Sequence, residues 1–161
     1  MSALRDMVAT YRGPGRVVRR LLAGGPREDR LLAVLMAACA LVFIAQWPRL
    51  AREAHMTGTE LNPLLGSTLM AWVFIAPLAL YALAAVLHIV ARLVGGQGTF
   101  YAARLALFWA LFASTPLLLL HGLVAGFIGP GPQLAMVGAV WFAVFLWFCG
   151  AGLVTAEREA T

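Results

Sequence analysis

The sequence predicts an all-α fold: a polytopic membrane bundle of four transmembrane helices, preceded by amphipathic helices in the membrane interface. Three observations predict it. Hydrophobic residues make up 62% of the chain and charged residues only 12%, where a soluble domain carries roughly 25% charge. Four apolar runs are each long enough to cross a bilayer. Arginine is distributed unevenly over the segments that join them. The organisation expected is a basic arm over 1–25 and a transmembrane domain over 26–161, with spans at about 29–47, 67–92, 102–128 and 133–156.

The arm reads as two amphipathic pieces. Leu4, Met7, Val8 and Tyr11 recur at helical spacing, with Arg5, Asp6 and Arg12 elsewhere on the turn. Gly13-Pro14-Gly15 interrupts this helix. Val17, Val18, Leu21 and Leu22 form a second apolar stripe beside Arg16, Arg19 and Arg20, and Gly24-Gly25-Pro26 closes it. Such helices lie in the headgroup plane, so Arg16, Arg19 and Arg20 are candidates for anionic lipid or a partner. Nucleic acid is not expected, because no aromatic stacking platform accompanies the charge.

The spans follow from length. Leu31 to Trp47 is 17 residues with only Gln46 polar, and Leu69 to Leu87 is 19 residues without a charge. Leu105 to Gly129 is 25 residues, interrupted by Ser114, Thr115 and His121, and Leu134 to Ala156 is 23 without a charge. A spanning helix takes about 20 apolar residues. The runs are continuous and rich in Leu and Ala, unlike the alternating strands of a barrel. Pro77 and Pro116 are predicted to kink the second and third spans, with Ser114 and Thr115 serving the carbonyls that Pro116 frees. His121, the one ionisable group well inside a span, is expected to hydrogen-bond between helices. The connection from Pro48 to Ser67 reads as a surface loop with a short helix carrying an Arg49–Glu53 pair, a turn at Thr57-Gly58-Thr59 and a break at Asn62-Pro63.

Orientation comes from arginine. All twelve basic residues are Arg; seven precede the first span, Arg92 and Arg104 flank the second turn, and Arg158 follows the last span. Only Arg49 and Arg52 fall on the other side. The positive-inside rule then places both termini and the second turn in the cytoplasm, with Trp47 and Trp72 as anchors at the opposite interface. No cleaved targeting segment is expected. Met36-Ala37-Ala38-Cys39 is a poor lipoprotein box because the apolar run continues beyond it. Cys39 and Cys149 read as small apolar side chains, not as a disulfide framework.

The second turn carries the main candidate site. Gly95 is placed to cap the helix ending at Val94, Gly96 and Gly98 permit a tight turn, and Thr99 is placed to N-cap the next helix. His88 and Arg92 are one turn apart on one helix, and Arg104 is one turn into the next. His88, Arg92 and Arg104 are therefore candidates for an anion site taking a lipid phosphate or an acidic partner segment. Plain topological flanking accounts for the same charges. Gly-Gly-Gln-Gly lacks the Lys-Ser/Thr ending of a nucleotide loop.

The run from His88 through Arg92-Leu93-Val94-Gly95-Gly96-Gln97-Gly98-Thr99-Phe100, extended by Arg104 and Ala113-Ser114-Thr115-Pro116-Leu117, resembles the central motif of the Yip family of multipass membrane proteins. In hydropathy the likeness covers roughly residues 30 to 155. The resemblance implies a membrane scaffold that binds protein partners, without catalytic residues or cofactors. Members of that family commonly carry five spans, whereas this chain has room for four. The all-Arg, Ala/Leu/Gly-rich composition reads as bacterial coding, which points to the inner membrane.

No paired carboxylate, activated nucleophile or metal-spaced His/Cys/carboxylate set is present in the sequence, so no enzyme, cofactor or metal is expected. The function expected is a non-enzymatic scaffold or adaptor contacting lipid and a membrane protein partner or a second copy. An accessory subunit of a larger bioenergetic or transport complex is the next reading, and a small transporter the third.

Overall fold

The most completely buried helix among the described residues lies at the centre of the fold. In the computed structural model, which describes residues 2–158, α6 (Phe100–Ala113) buries every residue from Ala102 to Ala113 except Arg104. A helix that is apolar all round belongs inside. Around it stand α3 (Glu28–Thr57), α5 (Ala76–Leu93) and α8 (Pro132–Arg158), together with the two arm helices α1 (Ala3–Thr10) and α2 (Pro14–Ala23). α4 (Leu61–Met70) runs through a π-helical turn (Ala71–Ile75) into α5, and α7 (Thr115–Phe127) continues α6 after a break. No strand occurs among the described residues. The expected end of the transmembrane domain at residues 159–161 lies outside them.

Three helical stretches are long and apolar enough to cross a membrane: Glu28–Thr57, Leu61–Leu93 and Pro132–Arg158. The pair α6 and α7 passes the same test only when taken together, and it is bent by 43°.

α7 seats on α3 through two glycines one turn apart. A Cβ on Gly122 would fall on the Ala45 carbonyl, and one on Gly126 would meet Pro48. Small residues at this spacing let helix backbones approach closely in lipid. α8 packs on α6, with Gly152 admitting Ala106 from one side and Val18 of α2 from the other. Tyr81 of α5 sets its ring edge against Phe108 of α6 at 5.0 Å.

Two expectations about the first connection are corrected. α3 does not end at Pro48; it runs on to Thr57, so the predicted surface loop shrinks to Gly58–Glu60. In an apolar medium a helix that breaks must strand backbone groups, so Pro48 is carried inside α3. Arg52 donates to Gly126 O at 3.3 Å and ties the extension to α7. Asn62-Pro63 does not break a helix either. It sits in the first turn of α4, where a missing N–H costs nothing. The Arg49–Glu53 pair forms at 3.4 Å, and Gly58 caps α3 with φ +69°.

The arm is also corrected. It shares one hydrophobic core with the spans: Met7, Val17, Val18 and Leu21 pack with Leu31, Leu35, Phe108 and Phe148. α2 faces inward with the predicted stripe. α1 is rotated away from the predicted one: it buries Asp6, Met7 and Thr10 and leaves Leu4 and Val8 69% and 63% exposed. Polar partners explain the rotation. Asp6 pairs with Arg20 of α2, and Thr10 Oγ1 accepts from Trp109 Nε1 at 2.9 Å.

Candidate functional site

The glycine turn between α5 and α6 forms as its residues dictate. Gly95 takes φ +96°, and Gly96 N–H returns to Ala91 O at 2.8 Å, closing α5. Thr99 Oγ1 accepts from Ala102 N–H at 3.1 Å and opens α6.

Phe100 brings two of the three predicted side chains together. The His88 ring lies 5.6 Å from the Phe100 centroid, and the Arg104 guanidinium stands 4.5 Å above it. Arg104 also donates twice to the Glu28 carboxylate, at 2.8 and 2.7 Å. Planar two-point pairing of this kind fixes orientation as well as distance. Arg92 stands exposed at the end of α5, apart from this stack.

Glu157, near the end of α8, closes the site from the other side. Gly98 N–H donates to its Oε2 at 2.6 Å. A side chain at Gly96 or Gly98 would collide with that carboxylate. These glycines therefore make room for a charged side chain from another helix, beyond shaping the turn. The chain's own carboxylates, Glu28 and Glu157, thus stand where an anion was expected. Three buried polar atoms here have no hydrogen-bond partner among the described residues: His88 Nδ1, Arg104 Nε and Glu157 Oε1. Sequence reasoning missed both glutamates, because their contacts reach across 76 and 59 residues.

A second polar site lies where α6 breaks into α7. The backbone ladder stops at Ser114 N–H on Ala110 O and resumes with Leu117 and Leu118 N–H on Ser114 O. The carbonyls of Leu111 and Ala113 fall between, while Phe112 O takes a backbone N–H at the cap. Each of the three accepts a hydroxyl: Ser114 Oγ on Leu111 O at 2.9 Å, Thr115 Oγ1 on Phe112 O at 2.7 Å, and Tyr11 Oη on Ala113 O at 2.7 Å. Ser114 and Thr115 thus take the role expected of them beside Pro116. Tyr11, from the arm, supplies the third donor. Its ring stands edge-on to Phe148 at 5.0 Å, and burial raises its phenol above the ordinary value near 10. Trp141 of α8 adds a bond to Ser114 Oγ at 3.2 Å.

Pro77 acts differently. It is buried at the start of α5, immediately after the π-helical turn Ala71–Ile75. The wider turn absorbs the bond that the ring cannot make. His121 makes no hydrogen bond among the described residues; its ring meets α8 by packing against Gly138. Of the arm arginines, Arg16 folds over Gly13 and reaches Arg12 O at 3.4 Å, Arg20 pairs with Asp6, and Arg19 is exposed on α2. No group of three His, Cys or carboxylate side chains with metal-holding geometry occurs among the described residues.

No protein-family profile, curated protein or solved structure matches the chain.

Proposed function

We propose that this chain is a non-enzymatic membrane scaffold of the Yip type, working by helix contacts with a membrane protein partner or a second copy. In this reading α6 and α7 form one bent span, making four. Both termini and the glycine turn face the cytoplasm of a bacterial inner membrane. The arrangement of arginines supports that orientation.

The observation that carries the scaffold reading is the exposure of the second span. Only 6% of its most apolar stretch is buried, against 33% for α3. A helix attached so lightly to its own bundle offers Leu78, Val86 and Ile89 as a continuous apolar face. The residues closing the glycine turn stand at the cytoplasmic end of that face.

Photo-crosslinkers at Leu78 and Ile89, in cells, test the reading. The expected result is a discrete adduct with one membrane protein or with a second copy. A stoichiometric respiratory or transport chain as the adduct would favour the accessory-subunit reading. Lipid adducts alone, together with substrate-dependent stabilisation of the purified protein, would overturn both contact readings in favour of a transporter. A Gln97→Cys variant tests orientation: labelling from the cytoplasmic side is expected, and periplasmic labelling would contradict the four-span topology.

A further inference from the structure

The groove between α1 and α2 holds charge and apolar surface that the scaffold reading does not use. Arg5, Arg12, Arg16 and Arg20 line it with Leu4 and Val8, around a cavity of about 680 Å³. Among the described residues only Asp6 pairs with one of the four guanidiniums, and it is committed to Arg20. Among the described residues, Arg5, Arg12 and Arg16 form no ion pair with a carboxylate. The rotation of α1 turns Leu4 and Val8 outward beside them. One groove thus presents a cationic wall and an apolar wall.

Its position is fixed by what lies beneath. A Cβ on Gly15 would lie 2.7 Å from Thr155 Oγ1, and Val18 packs on Gly152. The groove therefore sits beside the last turns of α8, at the membrane end that carries the glycine turn. Gly13 lets the Arg16 guanidinium lie against the backbone, within reach of Arg12 O. That places its charge next to that of Arg12.

We infer that this groove binds the headgroup of an anionic phospholipid, with the phosphodiester between Arg5, Arg12 and Arg16 and an acyl chain along Leu4 and Val8. Charge complementarity selects the anionic phosphate, and the exposed Leu4–Val8 face selects a lipid over a free anion. The inference rests on the membrane placement proposed above but needs no protein partner. Loss of lipid selectivity with the α5 cross-links intact would strike this inference alone.

The test is lipid titration of the full chain in neutral detergent, read by native mass spectrometry. Phosphatidylglycerol is expected to bind in clear preference to phosphatidylcholine. Each guanidinium near an anionic surface contributes roughly five-fold, so the Arg5→Gln, Arg12→Gln, Arg16→Gln variant should lose on the order of a hundred-fold. The corresponding triple Lys variant should stay within about ten-fold of the native chain, and Arg49→Gln on the other side should change nothing. Docking of the arm is verified in each variant by a Gly15→Cys/Thr155→Cys disulfide. Unchanged phosphatidylglycerol affinity in the Gln variant with the disulfide formed would overturn the inference. So would inorganic phosphate, or an acidic peptide, occupying the groove ahead of the lipid.

Discussion

The chain contains two proline-interrupted apolar stretches, and they are resolved in opposite ways. Pro116 follows a true break. Helix α6 stops, the axis turns by 43°, and the carbonyls of Leu111, Phe112 and Ala113 lose their regular helical bonds, Phe112 O keeping one cap N–H. All three are met by hydroxyls, one of them from the arm. Pro77 is passed without a break: a π-helical turn widens the backbone and the helix continues. The difference follows from burial. The first site lies inside the bundle, with Ser114 and Thr115 fully buried, where an unsatisfied carbonyl is costly. The second lies on the lightly packed span: Pro77 itself is buried, but the π turn before it, Ala71–Ile75, holds no buried residue. A proline's effect is thus decided by which side chains surround the freed carbonyls.

The largest test of this contrast is removal of two hydroxyls at the break. Thr115→Val with Tyr11→Phe should strand the Ala113 carbonyl, take the hydroxyl from Phe112 O and cost about 3 kcal/mol in equilibrium unfolding in mixed micelles. The two sites adjoin, so a double-mutant cycle should show them coupled. A loss within measurement error would mean that water or lipid headgroups serve these carbonyls.

Tyr11→Phe alone should cost about 2 kcal/mol and loosen the arm, read as a change in Trp109 fluorescence through its bond to Thr10. High pH should reproduce that effect. Burial raises the Tyr11 pKa, so the docked arm favours the neutral phenol. That stabilisation is complete below the unfolded value near 10 and is lost as pH climbs through the higher folded value. The Trp109 signal should shift above pH 10 in the native chain and lose this component in Tyr11→Phe.

Asp6→Asn removes the charge that α1 turns inward. Arg20 is 46% exposed, so the cost should be modest, about 1 kcal/mol, seen as faster proteolysis at Gly24-Gly25. Pro77→Ala is the smallest change. It restores a backbone donor but trims a buried ring, two opposed effects, and should move stability by less than about 0.5 kcal/mol. A large loss there would show that the π turn is held by packing and is not merely tolerated.

Local chemistry was legible in the sequence. Gly95, Thr99, Ser114 and Thr115 act within a turn of their own position, so spacing alone revealed their roles. Pro48 was misread because a breaking rule from water was applied where an apolar medium favours an unbroken helix, and Pro63 because it sits in a first turn, where proline is tolerated. The packing face of α1 was not legible because periodicity puts Leu4 and Val8 on one stripe with Met7 and Tyr11. It carries no information that Asp6 would find Arg20 or that Thr10 would find Trp109. Glu28 and Glu157 at the glycine turn were invisible for the same reason: their partners are distant in sequence and near only after α3 and α8 have packed.

The central claim is that the arm is part of the bundle, held over the α6–α7 break. The direct measurement is a disulfide between Gly15→Cys and Thr155→Cys, in a Cys39→Ala, Cys149→Ala background, formed in native membranes. Near-quantitative bonding under mild oxidation is predicted, because a Cβ at position 15 lies 2.7 Å from Thr155 Oγ1. Two free thiols, both open to labelling in membranes that carry correctly inserted protein, would contradict it.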